Sequence, residues 1–524
     1  MRNLFSVVLL AAVPALAAPP AAFNVRVEAL RQSTGVPGMA IAIVENGKTT
    51  LARGFGTRKL GHGAQVDGDT LFPIGSTSKG MTAAALATLV DDGKIGWDDK
   101  VVKHLPDFMM YDSWVTREMT IRDLLVHRSG LGPGGGDLLF VPRTNLSRAE
   151  TVRRVRYLKP KTSFRSTFAY SNLMYVVAGQ LSEAVTGQTW EQYLLERVLR
   201  PAGMQRSTTD NEANFKVGNR AFPHARMSGG LRGVGRQELL DERDDLGRNA
   251  APGGGVASSA NDLAQWLHLM LGAGMPATGP RVFSAKTHAE MLTPNMLLPV
   301  GTAPAELKET QANFSAYGLG WNVTDYRGAK MVWHGGAVFG FKTAVVMLPE
   351  QKVGFAITIN SEDGELIRGL MYELADHYLK LPRRNWPGAF QAYRKKQLAD
   401  GLQVWQAAQK RPAAAVVGTP PSPAVLAGTY ADPWYGNIDI SAANQNLRIN
   451  FGSTPRMAGR LEHWQGATFI TRFDDKTIEP AYVTFAFNPG GKVERITMAP
   501  ASPVVDFSWD YQDLSFIPVQ GAQK

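Results

Sequence analysis

Apolar positions alternate at both ends of the stretch 23–385 and follow a helical period between them. Met39, Ile41 and Ile43 alternate, Asn46-Gly47 suits the positive φ angles of a tight turn, and Thr49, Leu51 and Arg53 alternate back. That pattern predicts a hairpin over 38–57. Met81, Ala84, Ala85 and Leu89 share one face of a predicted helix over 76–92, which Gly93 ends. Thr120 with Asp123 resembles a capping box ahead of Leu124 and Leu125. Further helices are expected over 173–186 and 189–199, separated by Gly187, and from Ser259 and Asp262 to about Leu271. From 317 the period becomes strand-like, with short apolar runs at 317–325, 330–334, 340–348 and 353–360 and a helix at about 364–379. One antiparallel sheet built from the hairpin and the late strands, with helices packed on it and a helical middle, accommodates this order.

The texture changes after 385. Residues 386–423 read as a helix and a Pro/Ala-rich linker, the linker proper being 411–423. Residues 424–520 hold about eight short alternating segments, such as Asn437-Ile438-Asp439-Ile440 and Tyr482 to Phe487. That spacing predicts a separate small all-β barrel or sandwich. The expected fold class is therefore α+β followed by a small barrel.

A chain of 524 residues can bury more than one core. Its 44% hydrophobic and 19% charged residues fit a folded protein, and a net charge of +10 is diffuse over this length. Arg2, the apolar run Leu4 to Leu16 and Ala15-Leu16-Ala17 read as an export leader over 1–17, which implies a periplasmic or secreted protein. No later run reaches the ~18 apolar residues a membrane span needs. Cysteine is absent, which excludes disulfides and thiolate chemistry. Histidine spacing gives no zinc motif, and neither a Walker loop, a Rossmann fingerprint nor a G-x-S-x-G elbow occurs. No metal, cofactor or nucleic-acid partner is expected.

Chemistry concentrates in three places. Ser76-Thr77-Ser78-Lys79 puts a serine at a helix start with a lysine one turn on, so that Nζ reaches Oγ. Such a lysine acts as a base only if burial or positive charge lowers its pKa. The helix start also offers free N–H groups to an oxyanion. An S-x-x-K is expected about once by chance at this length, so its setting carries the weight. Tyr170-Ser171-Asn172 precedes a helix with an apolar face. The tyrosine can share proton traffic with the Ser–Lys pair, its pKa lowered by nearby positive charge, and the Asn172 amide can hold a substrate carbonyl and the lysine. His334-Gly335-Gly336-Ala337 is expected at a strand end, where glycines let a substrate backbone lie alongside and the next N–H can complete an oxyanion hole. His127 reads as structural, late in a helix before Ser129-Gly130. The basic run Arg148 to Arg165 reads as a solvated face.

Taken in order, these motifs resemble the serine β-lactamase and penicillin-binding-protein superfamily, in its class C-like, S12 peptidase and esterase branch. His127-Arg128-Ser129-Gly130-Leu131, Gly253-Gly254-Gly255-Val256 and Tyr317-Gly318-Leu319-Gly320-Trp321 fit the same resemblance, which covers about 23–385. It implies a β-lactamase/transpeptidase-like fold, acylation of Ser76, deacylation by water, and Lys79 and Tyr170 as acid/base partners. It also implies an oxyanion hole from the N–H groups of Ser76 and Ala337. The tail looks like a lipocalin-like barrel, through which oligomers could form. Members that destroy penicillins usually carry lysine where this chain has His334, and a neutral histidine attracts a carboxylate less well. The implied function is an exported hydrolase of small peptides or esters, a D-amino-acid peptidase or carboxylesterase. A class C-type β-lactamase and a non-catalytic peptidoglycan- or peptide-binding module stay open as alternatives.

Overall fold

The computed structural model describes residues 19–20, 22–243, 246–410, 417–443 and 446–519. The predicted leader, 1–17, and linker positions 411–416 lie outside the described residues.

The main sheet uses β1 Gly38–Glu45, β2 Lys48–Gly56, β3 Met296–Leu297, β4 Ser315–Tyr317, β5 Asn322–Tyr326, β6 Ala329–Val338, β7 Phe341–Leu348 and β8 Val353–Ile359. Their spatial order is β2-β1-β8-β7-β6-β5-β4-β3, and every pairing is antiparallel. Strand β1 is buried at every position, because helices cover both faces. Met39, Ile41 and Ile43 pack with Val27 of helix α1 (Phe23–Thr34) and with Leu366, Leu370 and Leu374 of the helix Gly364–Tyr378. Ala40, Ala42 and Val44 face the opposite core, with Leu263 and Leu267 of the helix Ala260–Leu271.

The helical middle grows from that second face. Its centre is α2, Ser78–Asp91, buried from Ser78 through Leu89. An alanine-rich sequence suits that place, since alanine lets neighbouring helices approach closely and keeps helix propensity high. Beside it lies α3, Leu173–Thr186. The Thr120–Asp123 capping box is present in full.

Four predicted elements change shape, and the first three changes bear on the site. The helix over 76–92 begins as a 3-10 turn, Gly75–Thr77, before turning α-helical. The stretch 317–325 breaks at Gly320 (φ +83), where a Cβ would lie 2.7 Å from the Lys79 carbonyl. Only glycine fits, so a turn separates β4 from β5. Strand β6 runs on to Val338, which puts His334 inside the strand rather than at its end. The helix expected over 189–199 is α-helical at Trp190–Leu194 and continues as a π-helical turn, Leu195–Leu199.

Beyond the 23-residue helix Trp386–Ala408 the chain forms a closed antiparallel barrel. Its strands are β9 Gly428–Asp432, β10 Gly436–Ala443, β11 Asn446–Phe451, β12 Ala458–Gln465, β13 Thr468–Phe473, β14 Ala481–Phe487, β15 Val493–Pro500 and β16 Ser515–Pro518. Burial alternates residue by residue in β11, as a barrel wall requires.

The basic run is a solvated face only in part: Arg153, Lys159, Lys161 and Arg165 are exposed, but several of its charges have fixed partners. Arg148 is buried between Glu183 and Glu191, Arg154 donates to the Tyr435 carbonyl of the barrel, Lys161 pairs with Asp513 at 2.6 Å, and Arg165 pairs with Asp123 at 2.6 Å. Much of that charge ties the barrel and the loops to the helical region. Among the described residues no helix is long and apolar enough to cross a membrane, and no group of three metal-binding side chains occurs.

Candidate active site

The 3-10 turn places Ser76 at the entrance of α2 and Lys79 one turn on, wholly buried. Lys79 Nζ donates to Ser76 Oγ at 3.1 Å, to Asn172 Oδ1 at 2.7 Å and to the Gly253 carbonyl at 2.8 Å. Those three acceptors match the three protons of an ammonium. Burial nevertheless brings its pKa down to about 7, against the opposing pull of Asp137. Near neutrality much of the lysine is therefore a free amine with a lone pair for the serine proton.

The turn is held from several sides. Ile74 N–H donates to the Val256 carbonyl, Ser78 Oγ to the Gly75 carbonyl, and Val256 N–H to Ser78 Oγ. Gly253-Gly254-Gly255-Val256 thus supplies both a lysine acceptor and an anchor for the nucleophile turn.

Tyr170 lies over the pair, with Lys79 Nζ 4.8 Å from its ring centroid. Positive charge was expected to lower its pKa; instead burial pushes it well above the ordinary value, and contact with the Ser76 hydroxyl offsets only part of this. The nearby Asp137 carboxylate pushes in the same direction as burial. Tyr170 can therefore donate or relay a proton but is no phenolate base.

His334 is buried, with Nδ1 2.6 Å from the Gly335 carbonyl and Nε2 2.7 Å from the Tyr317 hydroxyl. Burial, with Lys79 nearby, brings its pKa down to about 3, so it stays neutral. It faces Tyr317 rather than the substrate cavity and holds β6 against β4.

The glycines after it act through their backbone. Strand β5 pairs with β6 only as far as Trp333, which leaves one side of 334–338 without a β5 partner. The nucleophile turn lies close by. A Cβ on Gly75 (φ +54) would lie 2.7 Å from Ala337 N, and one on Gly336 would lie 1.9 Å from the Ile74 carbonyl and 3.4 Å from Ser76 N. The backbone of β6 at Gly336 and Ala337 therefore lies directly against the nucleophile turn.

One group escaped the sequence reading, and a second, His127, was read only as structural. Asp137 is fully buried, and its Oδ2 accepts from Asn172 Nδ2 at 2.9 Å, while burial raises its pKa to about 7. An acid between a glycine run and Leu138-Leu139-Phe140 is the signal that marks it. His127 sits after the helix has ended, with φ +59, and its Nδ1 accepts from Ser171 N–H at 3.0 Å. Its ring lies 4.3 Å from that of Tyr170, so this supporting histidine borders the site.

Ser76, Asn172 and Ala337 open onto a cavity of about 620 Å³. Phe140, Val141, Val338 and Phe339 give it an apolar wall. Its size suits a small ligand or a few residues of peptide.

A family model described as Beta-lactamase matches residues 23–380, and one described as a domain of unknown function, DUF3471, matches 414–518. An unguisins hydrolase of Aspergillus campestris is 33% identical over 62% of this chain; that alignment spans only 58% of the relative's length. An unguisins hydrolase of Aspergillus violaceofuscus is 28% identical over 87% of this chain and 83% of its own. The octameric penicillin-binding protein homologue from Pyrococcus abyssi superposes with a TM-score of 0.58 at 21% identity, covering 91% of this chain and 97% of that one. That likeness concerns the fold.

Proposed function

The chain belongs to the Beta-lactamase family, and on that premise we propose that it is a serine hydrolase cleaving ester or amide bonds through an acyl-Ser76 intermediate. The observation that carries this is the 3.1 Å approach of Lys79 Nζ to Ser76 Oγ, with the lysine pKa near 7. In acylation Oγ attacks the substrate carbonyl carbon as its proton passes to Nζ. The Ser76 and Ala337 amides receive the developing oxyanion. The C–N or C–O bond then breaks, and the leaving group takes its proton by way of the Tyr170 hydroxyl. Water repeats the cycle on the ester and releases the acid.

The substrate class we favour is small peptides, amides or esters, with D-amino-acid peptides foremost and penicillins disfavoured. Neutral His334 supplies no cation for a penicillin carboxylate. The relatives named as hydrolases support bond cleavage over a purely binding role. The leader-like segment 1–17 supports action in the periplasm or outside the cell.

A panel of nitrocefin, p-nitrophenyl butyrate and a D-alanyl peptide tests the substrate class. Ser76→Ala is expected to abolish turnover of the accepted substrate and the mass increase produced by a fluorophosphonate. Turnover persisting in that variant would exclude Ser76 as the nucleophile.

A further inference from the structure

Residues 501–514, between β15 and β16, leave the barrel and line the cavity onto which Ser76 opens. Ser508 Oγ donates to Asp137 Oδ2 at 2.8 Å, the oxygen that also accepts from Asn172 Nδ2. Asn172 in turn accepts from Lys79 through Oδ1. An unbroken hydrogen-bonded path thus runs from the barrel to the lysine: Ser508, Asp137, Asn172, Lys79. Asp137 Oδ1 has no partner, so Oδ2 alone fixes the carboxyl.

The approach is built rather than incidental. Asp510 accepts from the Gly136 and Leu138 amides at 2.7 and 3.2 Å, pinning the barrel loop to the segment that carries Asp137. Gly134 has φ +69, and a Cβ there would lie 2.5 Å from the Phe507 carbonyl, so a side chain at 134 would push the loop away. The Phe507 ring lies 6.0 Å from that of Tyr170. It remains 46% exposed and lines the cavity, as do Val504, Val505 and Trp509 of the same loop.

We propose that this barrel loop is part of the active site: Ser508 is a positioning residue that acts on Lys79 through Asp137 and Asn172, and Phe507 is a wall of the substrate cavity. The proposal rests on the hydrolase reading above.

Two donors on Oδ2 hold the Asn172 amide with its oxygen toward Lys79, and they favour the ionised form of Asp137. Ionised Asp137 favours charged Lys79. The other groups facing this pair are Asp506 and Asp510, which oppose ionisation of Asp137, the neutral rings of His127 and His334, and the protonated hydroxyls of Tyr170 and Tyr175. Losing the Ser508 donor lets Asp137 keep its proton to higher pH. Lys79 then loses its proton at lower pH, while Asn172 is held less firmly.

The test uses the full-length chain and the rate at which a fluorophosphonate labels Ser76, followed from about pH 5.5 to 9.5. Ser508→Ala is expected to lower the maximum rate on the order of 10-fold and to move the acid limb to lower pH. Ser508→Thr, which keeps the donor, is expected to restore both. Phe507→Ala is expected to raise KM for an apolar ester while leaving the acid limb in place. Ser508 is part-buried on a loop, so a thermal melt close to the parent's accompanies these results. A Ser508→Ala profile that superimposes on the parent's, a maximum that falls with an unmoved limb, or a Ser508→Thr profile matching Ser508→Ala overturns the proposal. A parent protein whose Ser76 takes no label overturns the hydrolase reading itself, and that outcome is distinct from a labelled parent with unmoved variants.

Discussion

Replacing Lys79 by methionine is expected to slow acylation of Ser76 by about 10³-fold or more while the protein stays folded. General-base catalysis contributes roughly 10²–10⁴-fold. Lys79 is the group in this site that combines hydrogen-bonding reach to Oγ with a pKa near 7. Tyr170 holds its proton too tightly to replace it, and His334 hydrogen-bonds toward Tyr317 and Gly335 rather than toward Ser76. The fold survives because a buried ammonium carries a desolvation cost. Its folded pKa lies below its unfolded value, so between about pH 7 and about 10.5 the unfolded chain binds more protons and this group's contribution to stability rises with pH. At neutral pH and below the cost is at its fullest. Methionine removes it, which offsets the hydrogen bonds lost at Asn172 and Gly253. The thermal midpoint is expected to shift by less than about 5 °C. Rates in the parent should rise with pH through about 7 as Nζ loses its proton. Stopped-flow acylation and a melting curve on the same samples check both halves; a variant that acylates at parental rate removes Lys79 from the mechanism.

How much of this was readable depended on how local each cause is. Ser76 and Lys79 share a helix face, and the spacing of the two residues is enough to bring Nζ to Oγ. The Thr120–Asp123 box is equally local, and it formed as the pattern implied. Burial is not local. Tyr170 was expected to respond to charge, but burial among the rings of His127, His334 and Phe507 sets its titration, and none of those lies near it in sequence. Strand β6 outran its prediction because His334-Gly335-Gly336 breaks the apolar pattern while the ladder to β7 continues through it. Asp137 and Ser508 are 371 positions apart, and only closure of the barrel against the helical region brings them to 2.8 Å. The arginines at 148–165 read as a solvated face partly for the same reason: Arg148 meets Glu183 and Glu191, and Arg154 meets the Tyr435 carbonyl, all from other segments. The barrel's alternation announced its strands, but not that one of its loops would enter the cavity.

The second large effect is expected from a single methyl group. Gly336→Ala places a Cβ 1.9 Å from the Ile74 carbonyl, backbone against backbone, where no rotamer can relieve it. Strand β6 and the nucleophile turn must then separate by more than 1 Å to restore ordinary contact. The proposed oxyanion hole of the Ser76 and Ala337 amides spans that gap, so widening it is expected to disrupt the hole while Lys79 keeps its place one turn on from Ser76. Loss of one oxyanion donor costs roughly 10²–10³-fold in kcat, and a displacement of about 1 Å at a reacting centre can cost a comparable amount. Gly335→Ala is the control. Its Cβ would meet nothing nearer than 3.7 Å, so activity should stay within about threefold of the parent. The pair separates a tight backbone approach from a general intolerance of alanine in β6. If kcat for ester hydrolysis falls equally in both variants, close packing at Gly336 is not what shapes the oxyanion hole. If Gly336→Ala alone fails, the glycine is there to let the strand and the nucleophile turn meet.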